Sequence, residues 1–208
     1  YDTPFFFSSN ALKQVGYLTV ELKKIYRQQD EQFISLLNQI RENKASEETL
    51  QALNQRYIPN FVPPKDGNYI RLTTHNAPAQ YINEQQLAAL PAQSFSFTAD
   101  IEGDFPETSY PADFKLTLKP GAQVMFIKND PQHRFYNGMI GEVIGVKTDE
   151  NGSKIIVRSK DSGEVFELEK MEWTNAKYTL NEKTKEIEET VEGKFMQYPL
   201  RLAWAITI

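Results

Sequence analysis

Tyr26, Arg27 and Gln28 stand where one backbone pattern gives way to another. An apolar, β-rich run, Val15 to Val20, leads into them, and residues 15–26 read as a strand. Phe33, Leu36, Leu37 and Ile40 follow at helix spacing, with Asp30 placed to cap a helix from 30 to about 44. In α/β proteins, ligands bind at such edges, beyond the carboxyl ends of strands. An aromatic ring beside an arginine there suits a nucleotide. The ring stacks on a base while the planar guanidinium grips phosphate oxygens through paired hydrogen bonds. The same residues also fit an ordinary strand-end tyrosine and a surface ion-pair arginine.

A second edge repeats the pattern. Tyr69-Ile70-Arg71-Leu72-Thr73-Thr74 reads as a strand, and His75-Asn76-Ala77 turns into a helix reaching about Leu90. Pro78 suits the first turn of that helix, and Tyr81, Ile82 and Leu87 are its expected core contacts. Two strand–turn–helix units make a parallel α/β sheet the expected architecture. Between them, Ser46 is placed to cap another helix. Glu47 and Glu48 favour its positive end, and Leu50 and Leu53 are expected to face inward. Pro59, Pro63, Pro64 and Asp66-Gly67 mark the loop that follows.

From Pro91 the chain changes character. Gln93 to Ile101 alternates like a strand. An acidic, proline-bearing connection carrying Asp100, Glu102, Asp104, Glu107 and Asp113 then reads as a solvated loop. Leu116 to Trp173 is β throughout by pattern, with Asn137-Gly138 and Asn151-Gly152 as turn signals. Short strands at this spacing predict a small barrel. Residues 174–198 read as a long charged hairpin with its tip near Asn181 to Lys185, and an apolar strand follows from Leu202. Insertion of the β module into the α/β domain accounts for that order.

Composition narrows the chemistry. The 208 residues are 40% hydrophobic and 25% charged, as in ordinary globular proteins. A net charge of −5 argues against a general basic coat for nucleic acid, while leaving room for a local groove. With no cysteine there is no disulfide framework, thiolate metal site or thiol nucleophile; with 2 histidines, a histidine-rich metal site is not expected either. A reducing, cytoplasmic compartment fits this composition. No apolar run approaches membrane-spanning length, so no membrane partner is expected, and Phe5-Phe6-Phe7 is too short for a signal-peptide core. The chain starts at Tyr1 and closes inside an apolar run, Leu202 to Ile208. We expect it to be a piece of a longer protein, with residues 1–14 leading in from an upstream domain.

Four stretches together resemble the second motor half of a superfamily 1B DNA helicase, in the RecD-like and PIF-type branch. Leu22-Lys23-Lys24-Ile25-Tyr26-Arg27-Gln28 with Asp30, Phe33, Leu37 and Ile40-Arg41 resembles helicase motif IV and its helix. Leu72-Thr73-Thr74-His75-Asn76 with Asn83 and Leu87 resembles the next family block. Leu118-Lys119-Pro120-Gly121-Ala122-Gln123-Val124-Met125, Lys128-Asn129 and Asn137 to Gly141 resemble the start of an inserted Src-homology-3-like barrel. Gln197 to Ile208 resembles the strand leading to motif V.

The resemblance implies an incomplete RecA-like parallel-sheet domain (15–115 and 199–208) with an inserted all-β barrel and long hairpin (116–198). It implies Arg27 as the catalytic arginine reaching the terminal phosphate of ATP across an interdomain cleft, Tyr26 near the base, and Gln28 supporting that loop. It implies single-stranded DNA as partner, its backbone running past Thr74, His75 and Asn76, whose hydroxyl and amide groups and helix N–H groups suit phosphate. Lys128 and Asn129 are candidate contacts to the same strand, or a simple turn at a strand end; His75 also fits a capping role. ATP and Mg2+ are implied for the parent protein, held mainly by a missing first RecA-like domain, since no Gly-x-x-x-x-Gly-Lys-Ser/Thr loop occurs here. The competing expectations are a non-catalytic nucleic-acid or protein binding module, and an unrelated α/β enzyme, for which no nucleophile–base pair is evident.

Overall fold

The computed structural model describes residues 3–22, 30–64, 69–150 and 152–208. The chain forms two units, Tyr1–Val62 and Pro63–Ile208.

The first unit is helical. After a single turn at Phe6–Ser8 come α1 (Asn10–Gln14), α2 (Glu31–Arg41) and α3 (Glu47–Asn54). Asp30 caps α2 as expected, its carboxylate accepting from the Phe33 N–H at 3.0 Å. Ser46 and Thr49 form a reciprocal capping box on α3. The Thr49 hydroxyl also donates to Gln39 Oε1 at 2.5 Å, which ties α3 to α2. Two expectations fail here. Residues 15–22 of the expected strand form no ladder, and Tyr17, Leu18, Val20 and Leu22 are exposed. Apolar, β-prone composition does not make a strand without a partner to supply the hydrogen bonds. Leu50 is exposed as well, because Thr49 takes the buried position through its bonds to Ser46 and Gln39.

In the second unit the elements run β1 (Arg71–Thr73), α4 (Asn76–Ala89), β2 (Phe95–Thr98), β3 (Asp100–Gly103), β4 (Lys115–Leu118), β5 (Gln123–Phe126), β6 (Ile140–Asp149), β7 (Gly152–Ser159), β8 (Val165–Leu168), β9 (Met171–Leu180), β10 (Ile187–Gln197), β11 (Leu200–Leu202) and β12 (Ala205–Thr207). Among the described residues, parallel pairing is confined to β1 and β12, with Leu72 opposite Ile206. The fold is α/β, as expected, and most of its sheets are antiparallel. The expected barrel region is a five-stranded antiparallel sheet in the order β11-β5-β6-β7-β8. The β2–β4 ribbon packs on it. Leu116 and Leu118 from the ribbon join Val124, Phe126, Val143, Ile155, Val157 and Leu200 in one buried core.

Gln93 to Ile101 is not one strand. It breaks at Ala99 into β2, which pairs with β4, and β3, which pairs with β10, so Asp100 and Glu102 lie on a strand rather than in a loop. Both ladders run across the 115/116 boundary expected above. The long hairpin β9–β10 forms as the sequence predicts, with Leu180 opposite Ile187 beside the tip. Midway along it the register shifts between Val191 and Gly193. There a Cβ on Gly193 would lie 2.2 Å from the Asp104 carbonyl oxygen, so only glycine lets the two backbones approach this closely.

Candidate nucleic-acid interface

The second strand-to-helix edge is built as its residues predict. β1 stops at Thr73, whose hydroxyl donates to the His75 carbonyl at 2.9 Å and closes the turn locally. Thr74 Oγ1 and His75 Nδ1 lie 2.9 Å apart, so these two exposed side chains are one hydrogen-bonded pair. His75 takes the N-cap position of α4, but its ring makes no cap bond there. The first turn of α4 therefore keeps N–H groups that no capping side chain accepts. Asn76 Oδ1 accepts from the Thr207 hydroxyl at 2.6 Å, so β12 fixes the orientation of that amide. Thr74, His75, Asn76 and Thr207 thus form a continuous polar edge at the ends of the parallel pair.

Asn83 holds α4 to that pair. Its Nδ2 donates to the Ala205 carbonyl at 2.9 Å and to Leu202 O at 3.3 Å, and its Oδ1 accepts the Ala205 N–H at 2.9 Å. Two more buried amides act alike nearby. Gln123 donates to Tyr69 O and Ala203 O and accepts from Lys160 Nζ at 2.7 Å, while Gln197 donates to the carbonyls of Phe97, Asp113 and Phe114. Buried amides with filled hydrogen-bonding capacity specify one geometry. On α4 the buried positions are Ala79 and Asn83, and Tyr81, expected in the core, is 64% exposed.

Lys128 and Asn129 have partners inside the unit. Lys128 Nζ donates to the Glu172 carbonyl and lies 4.6 Å from the centre of the Trp173 ring. Burial pushes its pKa down against the pull of Glu172. Asn129 Oδ1 accepts the Asn137 N–H at 2.8 Å and pins the loop that follows β5. In that loop Asp130 is 4% exposed. It receives Arg134 Nε at 2.8 Å, Arg134 Nη2 at 2.9 Å and the Arg134 backbone N–H at 3.0 Å. The guanidinium holds the Asp130 carboxyl down to about 2 despite its burial. In the sequence this pair shows only as an acid and a base four residues apart. Phe126 and Trp204 belong to the core or pack on it. Tyr26, Arg27 and Gln28 lie outside the described residues.

A groove of ≈ 720 Å³ runs beside α4, between the helix, β4 and the β11–β12 stretch. The groove is not legible in the sequence, because the segments that line it, on α4, β4 and β11–β12, are distant in the chain.

No protein-family model matches the chain. The ATP-dependent DNA helicase Pif1 of Psychrobacter sp. (strain PRwf-1) is 33% identical over 256 residues of alignment, which cover 98% of this chain and 38% of that protein. The crystal structure of Bacteroides sp. Pif1 in complex with ADP-AlF4 superposes with a TM-score of 0.82 at 36% identity, covering 100% of this chain and 46% of that one. Bacteroides Pif1 bound to ssDNA, at the same 36% identity and coverage, gives 0.59. The class is an α/β fold of mostly antiparallel sheets with helicase structures as its neighbours. The chain belongs to the Pif1-type family of superfamily 1B helicases. It spans less than half the length of these relatives.

Proposed function

We propose that this chain is the second motor half of an ATP-dependent DNA helicase that moves along single-stranded DNA. The observation that carries the reading is the Thr74–His75–Asn76 edge. It joins a polar strand end to a helix start without a side-chain cap, in a chain 36% identical to a Pif1 whose structure holds ssDNA. Hydroxyl, amide and helix N–H donors position a nucleic-acid backbone without reading its bases. The β1–β12 pair with α4 supports a RecA-like domain, and the five-stranded sheet with its ribbon supports a Src-homology-3-like module inserted in it. Lys128 and Asn129 are secondary candidates for the strand, since both already have internal partners.

Arg27, with Tyr26 and Gln28 beside it, is proposed as this chain's contribution to ATP turnover. Binding of ATP and Mg2+ falls mainly to a phosphate loop elsewhere, because these 208 residues contain no Gly-x-x-x-x-Gly-Lys-Ser/Thr sequence.

The test is binding of a labelled single-stranded oligonucleotide across a salt series. Weak, salt-sensitive binding is expected, lost when Thr74, His75 and Asn76 are all replaced by alanine. Tight binding indifferent to salt, or unchanged in the triple variant, overturns the reading.

A further inference from the structure

β2 has one paired side and one open edge. It pairs with β4 alone, Phe97 standing opposite Leu116. One residue past β2, the Ala99 N–H donates to the Phe114 carbonyl at 2.8 Å. In an antiparallel pair the backbone groups of alternate residues point the same way. Phe95 and Phe97 therefore turn theirs to β4, and Ser96 and Thr98 turn theirs outward. Lys170 Nζ donates to the outward Thr98 carbonyl at 2.6 Å. Among the described residues nothing bonds to the Ser96 N–H, the Ser96 carbonyl or the Thr98 N–H. Both residues are exposed. Such an edge is a template for a further strand.

The edge opens on a groove of ≈ 530 Å³, walled by β2 and by the start of β7 at Gly152, Ser153 and Lys154. Its four charged side chains are already matched, Lys154 with Glu169 at 2.6 Å and Lys170 with Asp100 at 2.7 Å. A chain of phosphates finds no unneutralised cation here, and a charged side chain finds no free counter-charge. Phe97 and Tyr198 supply the apolar part. Their rings meet edge to face with centroids 4.8 Å apart, and the Tyr198 hydroxyl donates to the Ser153 carbonyl. On a strand laid along β2, the residue opposite Phe97 shares its face and reaches these rings. Its two neighbours, opposite Ser96 and Thr98, lie on the exposed face. The groove therefore suits a polar–apolar–polar pattern without charge.

We infer that this edge takes an extended, uncharged segment of a partner protein as an added antiparallel strand. Main-chain hydrogen bonds to Ser96 and Thr98 hold the segment, and one apolar side chain beside Phe97 and Tyr198 sets its register. The site uses none of the residues assigned to DNA or ATP.

The test is an amide-resolved NMR titration of the 208-residue chain with a capped pentapeptide, valine at its centre and threonine at the other positions. Saturable shifts are expected at the Ser96 and Thr98 amides. N-methylation of the two threonines beside the valine removes the N–H groups that face β2 and should abolish binding. N-methylation of the valine, whose N–H faces away, should not. Ser96→Pro removes an edge donor that the β2–β4 ladder does not use, so the strand persists. Its binding should weaken by about tenfold. Ser96→Ala, which loses only the hydroxyl contact with Thr117 Oγ1, should bind as the wild type does. No saturable shift at Ser96 and Thr98, or equal binding of the two methylated peptides, overturns the proposal. Should Ser96→Pro not fold, the methylated peptides decide on the wild-type chain. Shifts at these two amides that follow protein concentration without peptide would assign the edge to a second copy and overturn it too.

Discussion

Asn83 and Ala205 are joined by two hydrogen bonds of 2.9 Å each, the side-chain amide of one pairing with the backbone N–H and C=O of the other across 122 residues. The amide does for the inner side of β12 what a neighbouring strand would do. It therefore fixes how α4, and the polar edge at its start, sits on the parallel pair. Asn83→Ala leaves the Ala205 backbone groups buried without partners. We expect a loss of about 1–3 kcal/mol in unfolding free energy, measured by urea denaturation. An unchanged midpoint would mean that water replaces the amide at no cost.

The Asp130–Arg134 fork makes a pH prediction. The Asp130 pKa lies at about 2 in the folded chain, below its value in the unfolded chain. On acidification the unfolded chain takes up the proton first, so the pair's contribution is intact above about pH 4. It is then lost as pH falls through about 2. In Asp130→Asn that part of the acid dependence should disappear, with a loss of about 1.5–3 kcal/mol at neutral pH for the charged hydrogen bonds. Denaturation of both proteins between pH 2 and 7 checks it (roughly the carboxylate titration range). Parallel pH profiles would place the acid sensitivity elsewhere.

Lys128 separates an internal role from a DNA role. Its ammonium over Trp173 is expected to be worth about 0.5–2 kcal/mol. Lys128→Ala should therefore lower stability and change tryptophan emission, with Lys128→Arg restoring much of both. A variant of normal stability and emission but with a flatter DNA salt slope would instead make Lys128 a phosphate contact.

What the sequence revealed was local chemistry. Asp30, Ser46, Pro78 and the hairpin tip at Asn181 act on neighbours within a few residues, and their elements fall where those residues put them. What it hid was pairing. Val15 to Leu22 has strand composition without a ladder among the described residues, and the alternation of Gln93 to Ile101 gave no sign that Ala99 switches the chain between two sheets. Asn83, Gln123 and Gln197 stand in the stretches that carry the resemblance, but the sequence does not show that they are buried or which distant carbonyls they bind. At the edge itself the placement of Thr74, His75 and Asn76 was legible, because strand-end and helix-start signals coincide there. The groove beside α4 was not, because it depends on where β4 and β11 pack.

Arg27 is to be tested in the longer protein we propose. If it reaches across a cleft to the terminal phosphate, its charge matters chiefly in the transition state, where negative charge spreads over the transferred group. Arg27→Ala should then lower DNA-stimulated turnover at saturating ATP by about a thousandfold or more. Nucleotide affinity should fall far less, since the phosphate loop still holds ATP. Arg27→Lys should recover only part of the loss, because an ammonium cannot reproduce the planar fork. Were Arg27 merely a surface ion-pair residue, alanine would cost at most about 1 kcal/mol of stability and leave turnover intact. Steady-state turnover and a melting curve on the same variant decide between the two. Near-normal turnover in a well-folded Arg27→Ala protein ends the assignment.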